Sequence, residues 1–427
     1  MKEKRFSFCL LFVLCMLAAC NGKKESQDGL RPIGDNSVVY EMNIRQYTPE
    51  GTFAAAEQQL PRLKELGVDI LWLMPIHPIG EQGRKGSLGS YYAPRDYKAV
   101  NPEYGTLEDF DRFLATAHSL GMRVIIDWVA NHTAPDSQWT TEHLADWYLL
   151  DSLGQPVVQY DWTDIAPLNW EKQPADLCAA MEDAMRFWLL RGLDGFRCDV
   201  AHQVPVSFWQ PMFDRFRAEF PGTYYLAEGE RPDLHDAFDA TYAWELHHLM
   251  NDIAQGHANA ADLATYVLRD DSLYGRATRP AASVATTAGP LRLTFTSNHD
   301  ENSWSGTEFE RMGDAAEVMV ALTFVLPHAQ PLIYTGQEVA FPHRFVFFEK
   351  DDTIPCWTPA EGSAEAHATD FYRRMTALYH SRPALHPDAD YTLVEPTDTN
   401  VFTLVRTAPG DTLTAVFNFR ENKYEIK

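Results

Sequence analysis

Four short stretches of this chain place carboxylates, amides and histidines directly after apolar runs. These stretches contain Asp127 with Asn131 and His132, Arg197 with Asp199, Glu228, and Asn298 with His299 and Asp300. If the apolar runs are parallel strands of one barrel, their carboxyl ends meet at a single mouth. Because clustered carboxylates raise one another's pKa and reduce stability, their convergence indicates chemistry rather than packing.

Arg197 and Asp199 form the most informative pair. Residues 194–199 predict a short buried strand, and residues two apart in a strand point to the same face. The two side chains are therefore predicted to lie side by side. A lone arginine–aspartate pair is more often a structural salt bridge, so its assignment to a site depends on the other three stretches.

A glycosidic bond is the substrate bond that suits this set of side chains. Its hydrolysis needs one carboxylic acid to protonate the leaving oxygen and one carboxylate at the anomeric carbon, beside histidines that we take as neutral. A zinc hydrolase would need histidines at metal-ligand spacing. His247, His248 and His299 do not provide that spacing, so no metal ligands are predicted. Glu230 is a rival to Glu228 as the acid because both lie on the same face of one strand.

The elements that would position these side chains alternate between strands and helices. Predicted strands cover 38–40, 69–74, 122–128, 194–199, 223–227, 238–242, 291–296 and 331–334, and predicted helices include 53–66, 107–120, 176–191 and 315–326. Eight strand–helix steps over this length predict an α/β fold, the (β/α)8 or TIM barrel.

Two further units complete the predicted architecture. The polar stretch after the third strand is too long for an ordinary loop and predicts a small inserted domain, and the tail predicts a short C-terminal antiparallel β-domain. The predicted boundaries are 1–19 for a signal peptide, 20–36 for a flexible tether, 37–133 and 176–388 for the barrel, 134–175 for the insert, and 389–427 for the tail.

The N-terminus has the pattern of an export signal. A basic start precedes an apolar run that is too short for a comfortable membrane span. The run ends in Leu17-Ala18-Ala19-Cys20, which resembles a bacterial lipobox. This resemblance implies that Cys20 is lipidated and anchors the protein in the bacterial cell envelope, in the periplasm or at the outer-membrane surface. The formal net charge of −24 argues against a nucleic-acid partner.

The four stretches resemble, in order and spacing, the signature regions of the α-amylase family, glycoside hydrolase family 13. The matching segments are Asp127-Trp-Val-Ala-Asn131-His132, Gly195-Phe-Arg197-Cys-Asp199, Ala227-Glu228 and Ser297-Asn298-His299-Asp300. The likeness also includes Tyr40-Glu-Met-Asn-Ile-Arg-Gln-Tyr47, Tyr92-Ala-Pro-Arg-Asp96-Tyr97 and Tyr334-Thr-Gly-Gln-Glu338. Together with the lipobox, it implies a lipoprotein-type bacterial member of this family.

The resemblance implies a role for each acidic residue of the site. Asp199 would be the nucleophile, kept ionised by Arg197, and Glu228 the general acid and later the general base. Asp300 would hold the sugar hydroxyls next to the reacting carbon. Such a retaining double displacement would place the carboxyl groups of Asp199 and Glu228 about 5–5.5 Å apart.

The same resemblance implies roles for four neighbouring residues. His132 and His299 would hydrogen-bond the reacting sugar, Tyr92 would stack beneath its ring, and Asp127 would orient the cluster. His202 stands where many amylases have a lysine on the leaving-group side, which leaves the acceptor specificity open.

A structural calcium site is the point at which the sequence departs from the family. Many relatives use the asparagine matched by Asn131, an aspartate of the inserted domain and a histidine carbonyl. Here Pro167 takes the place of the aspartate and Gln203 that of the histidine. Because proline has no side-chain ligand, this calcium site is expected to be absent or altered, and no cofactor is predicted.

The function implied is a retaining hydrolase acting on α-glucosidic bonds of starch- or glycogen-type glucans or maltooligosaccharides. Two alternatives stay open from the sequence. One is a transglycosylase or an enzyme specific for a small α-glucoside, because loops on the acceptor side decide that outcome. The other is a non-catalytic glucan-binding lipoprotein, against which the presence of Asp199, Glu228 and Asp300 argues.

Overall fold

The computed structural model describes residues 36–275, 289–351, 353–354, 357–396 and 398–427. The predicted signal peptide, Cys20 and nearly all of the predicted tether lie outside these residues. Within the described ranges, no helix combines the length and the apolar character that crossing a membrane requires.

Eight parallel strands close into a barrel, as the sequence predicts. They are β1 (Val39–Met42), β2 (Ile70–Leu73), β3 (Arg123–Trp128), β6 (Gly195–Cys198), β7 (Tyr224–Ala227), β8 (Ala240–Tyr242), β9 (Leu291–Thr294) and β10 (Ala329–Tyr334), with two short strands, β4 (His132–Thr133) and β5 (Ala166–Pro167), between β3 and β6. The order around the barrel is β1-β10-β9-β8-β7-β6-β3-β2. All eight C-terminal ends therefore face one mouth.

Helices surround the barrel and cover its apolar outer face. They are α1 (Ile44–Tyr47), α2 (Phe53–Glu57), α3 (Leu60–Leu66), α4 (Leu107–Ser119), α5 (Gln138–Trp147), α6 (Ala175–Leu190), α7 (Val206–Glu219), α8 (Trp244–Ala254), α9 (Ala260–Tyr274), α10 (Glu308–Met312), α11 (Ala316–Thr323) and α12 (Ala364–Ser381). The predicted helix over 53–66 is two helices, because Pro61 lies in the first turn of α3 and cannot donate a hydrogen bond to the preceding turn.

The interior of the barrel is filled by side chains, and its strands pack closely. Trp72, Ile125, Leu226 and Leu293 belong to this inner core and are fully buried. At the start of β6, a Cβ atom on Gly195 would lie 1.8 Å from the carbonyl oxygen of Tyr224, at a φ of +147°. Only glycine allows this approach of β6 to β7, and the approach fixes the strand that carries the site.

Two smaller units flank the barrel. The insert after β3 contains α5 and pairs β4 with β5 antiparallel. The tail forms a four-stranded antiparallel sheet, β11 (Asp390–Leu393), β12 (Val401–Ala408), β13 (Asp411–Asn418) and β14 (Lys423–Ile426). The sequence predicts the first three of these strands but not β14, whose exposed and half-buried residues carry little apolar signal.

Candidate active site

The side chains expected to act together gather at the barrel mouth. Asp127 lies in β3, Arg197 in β6, Asp199 directly after β6, and Glu228 directly after β7. An open cavity of about 570 Å³ lies above them, within the size range of small-molecule sites. Its lining consists of Lys85, Ser90, Tyr92, His132, Asp161, Trp162, Asp164, Ile165, Asp199, Val200, Glu228, His299, Asp300, Trp304, Phe347 and Phe348.

Arg197 is the centre of the acidic cluster. Its Nη1 atom lies 2.8 Å from Oδ1 of Asp127 and 3.0 Å from Oδ1 of Asp199, and its Nη2 atom lies 3.0 Å from Oε2 of Glu228. The guanidinium is fully buried, and its Nε atom donates to the hydroxyl of Tyr242 at 3.1 Å. One positive charge therefore serves three carboxylates, and the same-face placement of Arg197 and Asp199 that the strand period predicts is observed.

This sharing of charge, together with burial, shifts the pKa of both Asp199 and Glu228. Burial and the nearby Glu228 raise the pKa of Asp199 well above its usual value, although Arg197 opposes them. Burial also acts to raise the pKa of Glu228, but Arg197 and the backbone N–H of Val200 outweigh it, so that this pKa lies below its usual value. Arg197 thus lowers the pKa of both carboxyl groups, as a guanidinium beside a carboxylate should, against the opposing effect of burial.

His299 is protonated rather than neutral, which corrects another expectation. Burial opposes its charge, but Asp300 and Glu41 outweigh burial and raise the pKa of His299 to about 9. Its Nδ1 atom hydrogen-bonds Oε1 of Glu41, and its Nε2 atom lies 3.3 Å from Oδ2 of Asp300. The Asp300 side chain is 38% exposed and faces the cavity, where it can meet a sugar.

Glu41 is a site residue to which the sequence reasoning gave no role. It lies in β1 and is fully buried. Burial raises its pKa and His299 opposes that rise. The sequence did contain one signal of this residue, a carboxylate inside the apolar run Val38-Val39-Tyr40-Glu41-Met42. The partner of this carboxylate, His299, lies 258 residues away.

Asp127 orients the cluster from below. It accepts hydrogen bonds from Nε1 of Trp72 at 3.2 Å and from the hydroxyl of Tyr92 at 2.9 Å, besides its contact with Arg197. Both Asp127 and Arg197 are fully buried and are absent from the described lining of the cavity. They therefore position other groups in the sugar-free structure.

Tyr92 and His132 line the cavity side by side. The Tyr92 ring stacks on that of His299, with centroids 5.2 Å apart and planes at 20°. Burial lowers the pKa of His132 to about 4, so this histidine is neutral. Its Nε2 atom donates to the carbonyl oxygen of Tyr92 at 2.9 Å, and its Nδ1 atom accepts from Nδ2 of Asn131 at 3.2 Å. His132 must give up one of these bonds to bind a sugar hydroxyl.

Glu228 and its rival Glu230 have different surroundings. Glu228 lines the cavity, whereas Glu230 pairs with Arg292 at 2.7 Å and accepts from the backbone N–H of Glu245 at 3.0 Å. Within the described residues, Glu230 contributes nothing to the cavity lining. The geometry therefore favours Glu228 as the acid.

His202 lies at the rim beside Glu228. It is exposed, and its Nδ1 atom lies 3.5 Å from the carbonyl oxygen of Glu228. The same loop contains Val200, whose φ of 35° is a strained conformation for a β-branched residue. The backbone N–H of Val200 donates to Oε2 of Glu228 at 2.7 Å, which gives this strain a function in holding the acid.

The position expected for calcium lacks suitable ligands. Pro167 pairs with His132 across β4 and β5, and the amide nitrogen of Asn131 points to His132. Among the described residues, no group of three or more His, Cys, Asp or Glu side chains is placed to hold a metal ion. Pro167 therefore offers no side-chain ligand at the place where the calcium-binding relatives have an aspartate.

Aromatic residues of the cavity escaped the sequence reasoning. Trp304 and Phe347 lie with ring centroids 5.3 Å apart, and Phe347 stacks on Tyr92 at 6.0 Å. Trp162 lies 5.7 Å from the His132 ring. These residues belong to loops with no periodic pattern, and only their aromatic character marks them.

A carboxylate-lined mouth on a closed (β/α)8 barrel defines the molecule as a barrel enzyme. The family model of the α-amylase catalytic domain matches residues 24–162 and 145–354. The chain therefore belongs to the α-amylase family.

A solved crystal structure and two curated proteins are among those similar to this chain. The crystal structure of an α-amylase from Lactobacillus plantarum is 33% identical, with a TM-score of 0.77 over 90% of this chain and 88% of that one. The α-amylase MalA of Haloarcula japonica is 27% identical over 90% of this chain and 55% of its own length. An α-1,4-glucan:maltose-1-phosphate maltosyltransferase of Arcanobacterium haemolyticum is 35% identical over 42% of this chain and 28% of its own length. The chain thus spans about half or less of the length of these two curated relatives.

Proposed function

We propose that the protein is a retaining hydrolase of α-glucosidic bonds in starch- or glycogen-type glucans or maltooligosaccharides. The observation that carries the proposal is the single guanidinium of Arg197, which contacts both Asp199 and Glu228 at 3.0 Å at the floor of one cavity. Two carboxyl groups held together in this way match the paired acid and nucleophile of a glycosidase.

In the first step, a carboxylate oxygen of Asp199 attacks the anomeric carbon. The bond from that carbon to the leaving oxygen breaks with its electron pair, and Glu228 gives that oxygen its proton. The products are a glycosyl ester on Asp199, an ionised Glu228 and a sugar with a new hydroxyl group.

In the second step, water attacks the same carbon from the face that the leaving group vacated. Glu228 takes one proton from the water, and the ester bond breaks to restore the carboxylate of Asp199. Two inversions give net retention, so the product is the α-anomer. Asp300 and the charged His299 hold the sugar hydroxyls during both steps.

The first step needs a proton on Glu228 and a carboxylate on Asp199. In the sugar-free site, burial and Glu228 raise the pKa of Asp199, whereas Arg197 and the backbone N–H of Val200 lower that of Glu228. Positive charge that develops at the anomeric carbon stabilises the carboxylate of Asp199. The proton then belongs on Glu228, next to the leaving oxygen, as general acid catalysis requires.

An NMR time course on a maltooligosaccharide tests this proposal. Wild type should release fresh α-anomer, while Asp199→Asn should lose at least about 10⁴-fold in kcat, because the nucleophile is gone. Asp183→Asn is the matched control, since Asp183 is 66% exposed in a surface ion pair, and its rate should equal that of wild type. Release of the β-anomer by the wild type would refute the mechanism. Turnover by Asp199→Asn at the wild-type rate would refute it as well.

Glycosyl transfer is the second candidate, because the maltosyltransferase of A. haemolyticum matches 42% of this chain at 35% identity. A transferase replaces the water of the second step by a sugar hydroxyl. The same time course distinguishes the two, since transfer gives products longer than the starting chain. A small α-glucoside substrate would show instead as turnover of disaccharides alone.

For the cell location, we propose a lipid anchor at Cys20 in the bacterial cell envelope. The support is the order of basic start, apolar run and Leu-Ala-Ala-Cys box in residues 2–20. Labelled palmitate should enter the wild-type protein and not Cys20→Ala, whereas Cys9→Ala, a cysteine within the apolar run, should keep the label. Label that survives Cys20→Ala would refute the anchor.

A further inference from the structure

We propose that the cavity accepts only the non-reducing end of a glucan chain, because hydrogen-bonded loops close its glycone side. This inference rests on the proposed function of the same site. The closing segments, here called the loop wall, are residues 81–90 after β2, residues 161–164 of the insert, and residues 345–349 after β10. An enzyme with this wall removes short units from chain ends and does not cut within chains.

Lys85 connects the first two segments of the loop wall. Its Nζ atom donates to the carbonyl oxygen of Asp161 at 2.8 Å and lies 3.5 Å from Oδ1 of Asp164. The same atom lies 5.8 Å from the ring centroid of Phe348. All four residues line the cavity, so this cation bridges the cavity edge.

Ser87 and Leu88 connect the first and third segments. The backbone N–H of Ser87 donates to Oε1 of Glu349 at 2.8 Å, and its hydroxyl donates to Oε2 of the same carboxylate. The backbone N–H of Leu88 donates to the carbonyl oxygen of Phe348 at 3.1 Å. Between Lys85 and Ser87, a Cβ atom on Gly86 would lie 2.6 Å from Cβ of Phe348, so the two segments are in close contact.

A buried arginine supports the loop wall from behind. Arg45 is 2% exposed and donates to the carbonyl oxygens of Gly89 at 3.1 Å and Leu88 at 3.3 Å. Its guanidinium lies 4.0 Å above the ring of Tyr91. These contacts fix the first segment to the barrel rather than leaving it as a free loop.

Barrel topology decides which part of the substrate faces the loop wall. The three wall segments follow β10, β2 and β3, the strands next to or near β1. Glu228 follows β7, which lies four strands from β1 and therefore on the opposite side of the barrel. Since Glu228 protonates the leaving oxygen, the leaving group lies on its side. The glycone must then extend towards the loop wall.

On the side of the leaving group, the cavity is open rather than closed by loops. His202, beside Glu228, is exposed, whereas the exposed Trp304 lies on the other side, with its ring against Phe347 and Phe348 of the loop wall. A long leaving chain can pass His202 into solvent. The cavity thus admits a short glycone and a leaving chain of any length.

Two substrates that differ only at the non-reducing end test the inference. One is nitrophenyl α-maltoheptaoside, and the other is the same compound with an ethylidene bridge on the terminal glucose. Wild type should shorten the free compound by a constant unit and cleave the blocked compound at least 100-fold more slowly. Equal cleavage of both would overturn the inference and leave the proposed function intact. Cleavage of neither would overturn the proposed function and this inference with it.

A variant that removes the two side-chain links between segments of the loop wall, those of Lys85 and Glu349, provides the second test. In Lys85→Ala/Glu349→Ala, the ratio of blocked to free cleavage should rise at least tenfold as the glycone side opens. The control Lys98→Ala/Asp183→Ala breaks a surface ion pair outside the cavity and should keep the wild-type ratio. An unchanged ratio in the first double variant would show that these links do not close the site.

Discussion

Glu41 and His299 form the buried pair that sets the charge of the mouth. The carboxylate of Glu41 hydrogen-bonds one ring nitrogen, and Asp300 lies 3.3 Å from the other. With a pKa of about 9, the imidazolium carries a full charge at neutral pH. It can donate from both nitrogens, and its Nε2 atom lies 2.8 Å from the hydroxyl of Tyr92. A sugar hydroxyl that replaces this partner would meet a charged donor, which makes a stronger hydrogen bond than a neutral one.

Glu41→Gln should therefore lower the pKa of His299, because the variant removes a negative charge that favours the protonated ring. We expect a fall of about one pH unit or more, with the alkaline limb of kcat/KM moving down by a similar amount. An NMR titration of the assigned His299 ring measures the first effect. The ring of His132, whose pKa of about 4 is set by burial, should not change and serves as the internal control.

The stability of the protein should follow the same titration. The folded-state pKa of His299 lies above the ordinary value of about 6.5, so its contribution is fully present below pH ~6.5. The contribution is lost as the pH rises through about 9. In Glu41→Gln, this contribution of His299 to stability should begin to disappear at a lower pH. A His299 titration that is identical in both proteins would contradict the role assigned to Glu41.

Single side chains were predictable where strand period decides their direction. Arg197 and Asp199 had to share a face, and they do. Their protonation was not predictable, because it depends on Glu228 and Asp127, which come from other strands. The charge of His299 depends likewise on Glu41, from a strand at the far end of the sequence. Local pattern fixes where a side chain points, whereas its pKa depends on neighbours brought together by the fold.

Strands β4 and β5 join the insert to the barrel without a visible metal requirement. His132 and Pro167 are register partners, and the backbone N–H of Leu168 donates to the carbonyl oxygen of Asn131 at 2.9 Å. Direct backbone pairing therefore holds the junction between insert and barrel. Pro167 has no side-chain oxygen, so it supplies no side-chain ligand for calcium at this contact.

We therefore predict that chelation leaves the protein unaffected. In excess EDTA, both Tm and kcat should equal their values in calcium, because Pro167 replaces the carboxylate with which the ion would stabilise the junction. Pro167→Asp is the informative companion, since it restores a carboxylate at the position where the family resemblance expects one. A fall in Tm in EDTA that calcium specifically reverses in the wild-type protein would refute the prediction.

The bounds of helices and strands could be predicted to within a few residues where the apolar periodicity agrees with the residues that begin or end an element. The helix predicted over 107–120 is α4, which begins with a capping box between Thr106 and Asp109. The helix predicted over 53–66 is in fact the two helices α2 and α3. The apolar periodicity continues through Pro61, but the backbone hydrogen bonding of a single helix does not. The insert could be located by its length, but its pairing of β4 with β5 depends on contacts that no local pattern encodes.

The barrel as a whole was predictable because eight alternating units have few ways to bury their apolar faces. The contacts between the loops around the cavity were not predictable. Ser87 and Glu349 are 262 residues apart, and neither lies in a periodic segment. Loops such as these decide whether a common barrel cuts chains internally or at their ends, so the sequence left substrate choice open although it identified the chemistry.

One buried arginine, Arg406, links the C-terminal sheet to the barrel. Arg406 of β12 is fully buried and donates to the carbonyl oxygens of Val325 at 2.9 Å and Leu326 at 2.8 Å, which follow α11. Its other terminal nitrogen donates to the carbonyl oxygens of His386 at 2.7 Å and Ala389 at 3.3 Å. Burial lowers the pKa of Arg406 to about 10, so the side chain is still charged at neutral pH.

Arg406→Met should loosen the tail from the barrel, because it keeps the aliphatic volume but removes every donor to these four carbonyls. We expect a loss of about 2–4 kcal/mol in the free energy of unfolding, with KM unchanged, since the sheet lies away from the mouth. In calorimetry, a single wild-type transition should fall in temperature or divide into two. Arg420→Met, at a side chain that is 67% exposed, should change stability by no more than about 0.5 kcal/mol. If both variants melt like the wild type, the tail is held by its apolar contacts instead, such as the fully buried Leu404 and Leu413.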